Sequence, residues 1–209
     1  MTEYLTEQEQ IQQLKSWIKQ YGMTILLGIL IALAITSGWR YWQSYHNKIL
    51  QHASAVYDEM ITMRAQNNTN GTIIQAKKLL RNYTKTPYAD MAAFILAREA
   101  VITKQYAEAI QQLNWVVEHS QNAAMRDIAR IRAARILIAE KKPDEALNLL
   151  TQVQDKSFKG LADEVRGDAL LAKKDINAAR KSYELALQGL PNAEVSRPIL
   201  EMKFNNLAI

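Results

Sequence analysis

"RGDALLAKKDINAARKSYELAL", residues 166–187, carries the pattern that organises most of the chain. Ala179, Tyr183 and Ala186 follow one another at steps of four and three, so they share one helix face. Gly167 lies twelve residues before Ala179 and Pro191 twelve after it. Two other segments match: "KQYAEAIQQL" from Lys104 and "KKPDEALNLL" from Lys141. Aligning Ala109, Ala146 and Ala179 gives steps of 37 and 33 residues, the length of a helix–turn–helix repeat. The offset that finds Gly167 finds Ala97 and Ala134 in the other copies. A small residue is needed there because two helices cross, and only Gly or Ala lets their backbones approach.

This arrangement of small, large, small and Pro resembles the tetratricopeptide (TPR) repeat. Leu113, Leu150 and Tyr183 take the bulky position. The first two copies depart from the pattern, with Gln121 and Phe158 where the third has Pro191. Upstream, HASAVYDEMITMRA (52–65) and TIIQAKKLLRNY (72–83) are expected to form a further helix pair, atypical as terminal repeats are. A last helix from about Glu194 to Leu207 is expected to cover the end of the stack. Seven glycines and four prolines in 209 residues favour helix over strand. The predicted class is all-α, with a single N-terminal transmembrane helix followed by a TPR-like α-solenoid.

From Gln20 to Trp39 there is no Asp, Glu, Lys, Arg or His, and the centre reads MTILLGILIALAIT. Twenty helical residues rise roughly 30 Å, the thickness of a bilayer's hydrocarbon core. Trp17 and Tyr21 flank one end; Trp39, Arg40, Tyr41 and Trp42 flank the other. Indole and phenol rings favour the headgroup layer, and an arginine there extends its guanidinium to water. The expected division is a short amphipathic segment at 1–22, the membrane helix at 23–42 and the repeat domain at 43–209. A cleaved signal peptide is the rival, with Ala32–Ala34 as its small-residue site. Against it, the preceding stretch is acidic at its start and patterned: Thr6 and Glu9 fit a capping box, and Ile11, Leu14, Ile18 and Tyr21 recur at helical spacing. Lys15 and Lys19 on one side balance Arg40 and Lys48 on the other, so charge leaves the orientation open.

The chain has no cysteine, which excludes disulfides and thiolate chemistry. Its net charge of +5 is spread over the part after residue 42, with 23 Lys+Arg against 18 Asp+Glu, as on a solvated surface. A nucleic-acid platform would need aromatics on a basic sheet or groove, so no nucleic acid is expected. His46, His52 and His119 are not spaced to share a metal, and no phosphate-loop or nucleophile-elbow motif occurs. Neither a cofactor nor an enzymatic activity is expected. Arg126, Arg130, Arg132 and Arg135 crowd the first helix of the middle repeat. Arg126 and Arg130 lie one turn apart and are the candidate partner-binding pair, lining a concave surface for an extended or acidic segment. The plainer reading pairs these arginines with neighbours such as Asp127 and Glu164.

The whole arrangement, with "GWRYWQS" at 38–44 and the closing "KFNNLAI" at 203–209, resembles the YfgM family of ancillary SecYEG translocon subunits. That resemblance implies a type II single-pass bacterial inner-membrane protein with a cytoplasmic N-terminus and a periplasmic TPR-like domain. It also implies association with the SecYEG translocon and the periplasmic chaperone PpiD, help to newly exported polypeptides, and a link to stress signalling through RcsB. A structural or assembly scaffold of another envelope complex is the alternative built on the same anchor and repeats.

Overall fold

A computed structural model of the chain describes residues 7–190 and 197–207. The Thr6–Glu9 capping box, Pro191, the expected start of the last helix at Glu194, and Ala208–Ile209 of the closing motif lie outside the described residues. Every regular element described is helical: α1 (Glu7–Ala65), α2 (Thr69–Asn82), α3 (Pro87–Ile102), α4 (Tyr106–His119), α5 (Ala123–Ala139), α6 (Pro143–Thr151), a 3₁₀ turn (Lys156–Phe158), α7 (Lys159–Ala172), α8 (Ile176–Gly189) and α9 (Arg197–Asn205). The chain divides into two compact units, Met1–Gln51 and His52–Ile209.

In the first unit, helix α1 runs through the apolar stretch, long and apolar enough to cross a membrane. Among the described residues nothing covers its apolar side chains: Met23, Leu27, Leu30, Leu33 and Ile35 are all exposed. A core helix would bury them. Composition and exposure together make it a candidate membrane span.

The expected separate helix at 52–65 is instead the end of α1, because no Gly or Pro stands between Gly38 and Gly71 to interrupt it. Its residues Ala53, Val56 and Met60 pack with Ala76 and Leu79 of α2 and with Ala92, Ile95 and Leu96 of α3. Helix α2 starts at Thr69, three residues earlier than expected, since the Asn68 side chain accepts from Gly71 N at 2.9 Å and supplies the N-cap.

The turn inside each pair has one construction. At Lys104, Lys141 and Lys174 the backbone is left-handed, with φ of 60°, 63° and 66°. Gln105 N donates to Ala100 O, Lys142 N to Leu137 O and Asp175 N to Leu170 O at 2.7–3.0 Å, which is the Schellman closure of a helix end. The turn from α1 to α2 repeats it at Asn67 (φ 57°), with Asn68 N donating to Met63 O. Four pairs are therefore in register, at steps of 37, 37 and 33 residues. The last step is shorter because α6 has nine residues where α4 and α8 have fourteen.

Within the pairs, bulk is traded between the facing helices. Ala97 shares a core cluster with Leu113, and Ala134 with Leu150. A Cβ on Gly167 would meet the Tyr183 ring, 2.5 Å from Cδ1 and nearer still to Cε1. In the first pair the register places Met60 on α1 and Ala76 on α2, and both are fully buried. Ala109, Ala146, Ala179 and Ala186 are also fully buried, and Gly167 is buried.

Candidate partner-binding groove

Helices α3 and α5, the first helices of two neighbouring pairs, face each other across a cavity of about 190 Å³. Phe94, Ala97, Arg98 and Val101 line it from α3, at the three- and four-residue spacing of one helix face. Arg132, Arg135 and Ile136 line it from α5, and Leu113 of α4 closes the floor. The walls are mainly hydrocarbon. A dry cavity of about 150 Å³ holds a benzene ring, so this one has room for a large apolar side chain.

Every ionisable residue of the lining is an arginine. Arg132 lays its guanidinium over the Phe94 ring, 4.7 Å from Cζ to the centroid. Burial, and then the charge of Arg135, push the Arg132 guanidinium below its usual pKa. Arg135 Nη2 reaches Glu164 Oε2 at 3.4 Å while its side chain stays 50% exposed, and Arg98 donates to Glu99 at 3.0 Å while staying 57% exposed. The exposed Arg98–Glu99 pair is weak, and the buried Glu164, which also holds Lys203, takes a single long contact from Arg135, so each guanidinium keeps further N–H donors in the open. Both guanidinium groups are therefore available to an incoming carboxylate.

The other two arginines of α5 are placed differently. Arg126 Nη1 donates to the Ser120 carbonyl at 2.8 Å, and Arg130 Nη1 to Asp127 Oδ1 at 2.8 Å. Asp127, almost wholly buried, accepts Gln154 N and Asp155 N on its other oxygen, at 3.1 and 2.9 Å. Arg126 and Arg130 line a polar pocket of about 320 Å³ with Gln154 and Asp155. Their bonds tie α5 to the loops before and after its own pair. Asp90 stands one repeat earlier in register and accepts from Ser120 Oγ at 2.6 Å. Its Oδ1 is buried without a partner among the described residues, and burial raises its pKa despite the Ser120 hydrogen bond.

The far end of the stack is closed by α9. Leu200 is buried against Ala179, Tyr183 and Ala186, with Phe204 and Leu207 packed on the same cluster. Lys203 Nζ bonds Glu164 Oε1 at 2.9 Å and Asp168 Oδ1 at 2.8 Å, while Tyr183 Oη donates to Asp168 at 2.8 Å. Burial works to lower the Lys203 pKa, but the bonds and charges of Asp168 and Glu164 outweigh it and leave it raised. Arg180 lies over the Phe204 ring at 5.1 Å. The last helix expected to cover the end of the stack is thus found docked there, over Arg197–Asn205.

The proposed border residues Trp17, Tyr21, Trp39, Arg40, Tyr41 and Trp42 are all exposed on α1. Trp17 and Tyr21 bring their ring centroids to 6.0 Å, and Trp39 and Trp42 to 5.6 Å. The rise from Tyr21 to Trp39 is about 27 Å. His46 stacks on Trp42, and His119 on Trp115 at 4.6 Å. Among the described residues no three His, Asp or Glu side chains converge as metal ligands.

The tetratricopeptide repeat-like domain family matches residues 15–209. A protein of Haemophilus influenzae named "Ancillary SecYEG translocon subunit" is 30% identical over 203 residues, covering 97% of this chain and 98% of its own. Proteins of the same name from Escherichia coli K12 and Neisseria gonorrhoeae are 25% and 27% identical over 99% of this chain and 98% and 100% of their own. No solved structure matches. The chain belongs to the YfgM family. In this YfgM-family chain the match takes in most of the apolar helix as well as the repeats, so anchor and solenoid together are the family's unit. The sequence reading singled out α5 through its four arginines. It did not find the groove, which depends on Phe94 and Arg98 one repeat earlier. Repeat register was the available signal: Arg98 and Arg135 stand 37 residues apart.

Proposed function

We propose that the chain is a non-enzymatic adaptor of the bacterial inner membrane, held beside the SecYEG translocon, where it assists newly exported polypeptides. The observation that carries this reading is the near-full-length likeness, span included, to relatives named as ancillary translocon subunits. In this reading α1 crosses the bilayer once, with the N-terminus cytoplasmic and the repeats periplasmic, and Trp17, Tyr21, Trp39, Arg40, Tyr41 and Trp42 fix its depth. The small residues and Tyr183 set the repeat packing, and the first-helix surface of α3 and α5 offers the docking face. Confinement beside the channel raises local concentration, so modest contacts suffice. PpiD as a second partner and an influence on stress signalling through RcsB rest on the family resemblance. Photocrosslinkers at Trp42 and at Val101 in living cells test the proposal. Adducts with translocon subunits and with chains in transit are expected; adducts confined to another envelope complex would replace the adaptor with an assembly scaffold.

A further inference from the structure

The geometry points to an acidic, amphipathic peptide segment of a partner protein as the occupant of the α3–α5 groove, with one large apolar side chain in the cavity and a neighbouring carboxylate on Arg98 and Arg135. This deepens the adaptor reading and rests on it for the setting in which such a segment is met.

Two features give the chemistry. The cavity is walled by Phe94, Ala97, Val101, Leu113 and Ile136, so an aromatic or leucine side chain placed there leaves water for hydrocarbon. Around that wall stand Arg98, Arg132 and Arg135, with no acidic residue in the lining. Guanidinium forks match carboxylates in two-point geometry, and a carboxylate beside Arg132 would relieve the cost of its buried charge.

The chain also supplies an internal comparison. The register position held by Arg98 and Arg135 is held in the last pair by Asp168. There the acid is already neutralised, by Lys203 on helix α9. An amphipathic helix that sets Lys203 beside Leu200 and Phe204 thus closes the acidic end of the ladder. At Arg98 and Arg135 the sign is reversed, and both stay half exposed: Arg98 meets its chain neighbour Glu99, and Arg135 makes one 3.4 Å contact with the buried Glu164, whose other oxygen holds Lys203. The occupant complementary to that position is an apolar side chain accompanied by an anion.

The test uses the full chain in detergent micelles and fluorescein-labelled ten-residue peptides read by anisotropy. One peptide carries a single Phe among Asp, Glu, Ser and Gly; a second replaces its acids by Lys; a third replaces Phe by Ser. The acidic Phe peptide is expected to bind, more weakly as salt rises, and both replacements to lose at least tenfold. Arg98→Gln with Arg135→Gln is expected to lose at least tenfold and to flatten the salt dependence. Val101→Trp, which fills the cavity from an exposed position, is expected to block binding while the helical circular dichroism signal and melting midpoint hold. Equal binding of the Lys peptide, or unchanged binding by either folded variant, overturns the proposal. So does a groove-dependent dimer of the chain that excludes peptide. Because the assay contains no translocon, its failure removes the groove chemistry alone, and cross-linking from Trp42 judges the adaptor reading separately.

Discussion

Gly167→Ala adds one methyl group where α7 crosses α8 against the Tyr183 ring, and its cost follows from the geometry. The new Cβ would stand 2.5 Å from Tyr183 Cδ1 and 3.0 Å from Cζ, against about 3.5–4.0 Å for relaxed carbon contacts. The ring cannot swing away freely: Tyr183 is fully buried and its hydroxyl is held by Asp168 at 2.8 Å. Helices α7 and α8 must part by about 1 Å, an overpacking cost of about 1–3 kcal/mol. Tyr183→Leu alone leaves a cavity and removes one of the two donors to Asp168 Oδ1, for a loss of about 2–4 kcal/mol. Yet the two changes together rebuild the pair found next door, where Ala134 shares a core with Leu150. The double variant is therefore expected to be more stable than the sum of the single losses by about 1–2 kcal/mol. Urea unfolding of the full chain in micelles, followed by circular dichroism at 222 nm, measures all four proteins. Strict additivity would refute the idea that facing volumes are traded across each pair.

Two further perturbations have directions fixed by the structure. Lys104, Lys141 and Lys174 each hold a left-handed backbone that costs an L-residue about 1–2 kcal/mol; changing each to Gly should raise stability by about 0.5–1 kcal/mol after the unfolded-chain entropy is counted, whereas Lys→Ala keeps the Cβ and should change the melting midpoint little. Burial raises the Asp90 pKa in the folded state, so its contribution is fully present below about pH 3.9 and is lost as pH rises through the folded value. Asp90→Asn should therefore match or exceed the parent in urea at pH 7.5, with the difference shrinking toward pH 4. Asp127→Asn should lose about 1–3 kcal/mol at neutral pH, because Arg130, Gln154 N and Asp155 N all donate to that carboxylate; the opposite ranking of the two variants would refute both assignments.

What could be read from the sequence was set by packing that leaves a residue-type signature. Ala109, Ala146 and Ala179 are small because a neighbouring helix crosses them, and their spacing exposed three pairs. The first pair escaped alignment because its bulk sits on the opposite helix: Met60 stands in register with Ala97, Ala134 and Gly167, and Ala76 with Leu113, Leu150 and Tyr183. The left-handed turns escaped for a similar reason, since glycine is the residue that marks such a position and three of the four are lysines. The apolar span was legible because twenty uncharged residues have few other uses.

The arginines of α5 show where local pattern stops. Their spacing established that Arg126 and Arg130 share a face, and it could not say which face meets another part of the chain. That is decided by Gln154 and Asp155, some 27 residues on, whose backbone N–H groups converge on Asp127 and draw Arg130 into the joint. Once one face of α5 is committed to joining repeats, the face carrying Arg132, Arg135 and Ile136 is left against Phe94 and Arg98 of α3. Repeat register then gives that face its meaning. The same position runs Arg98, Arg135, Asp168 along the stack, and the step whose sign differs is the one that Lys203 of α9 closes. A chain that closes its acidic step with its own α9 and leaves its two basic steps half exposed has a reason to meet an acidic segment from elsewhere.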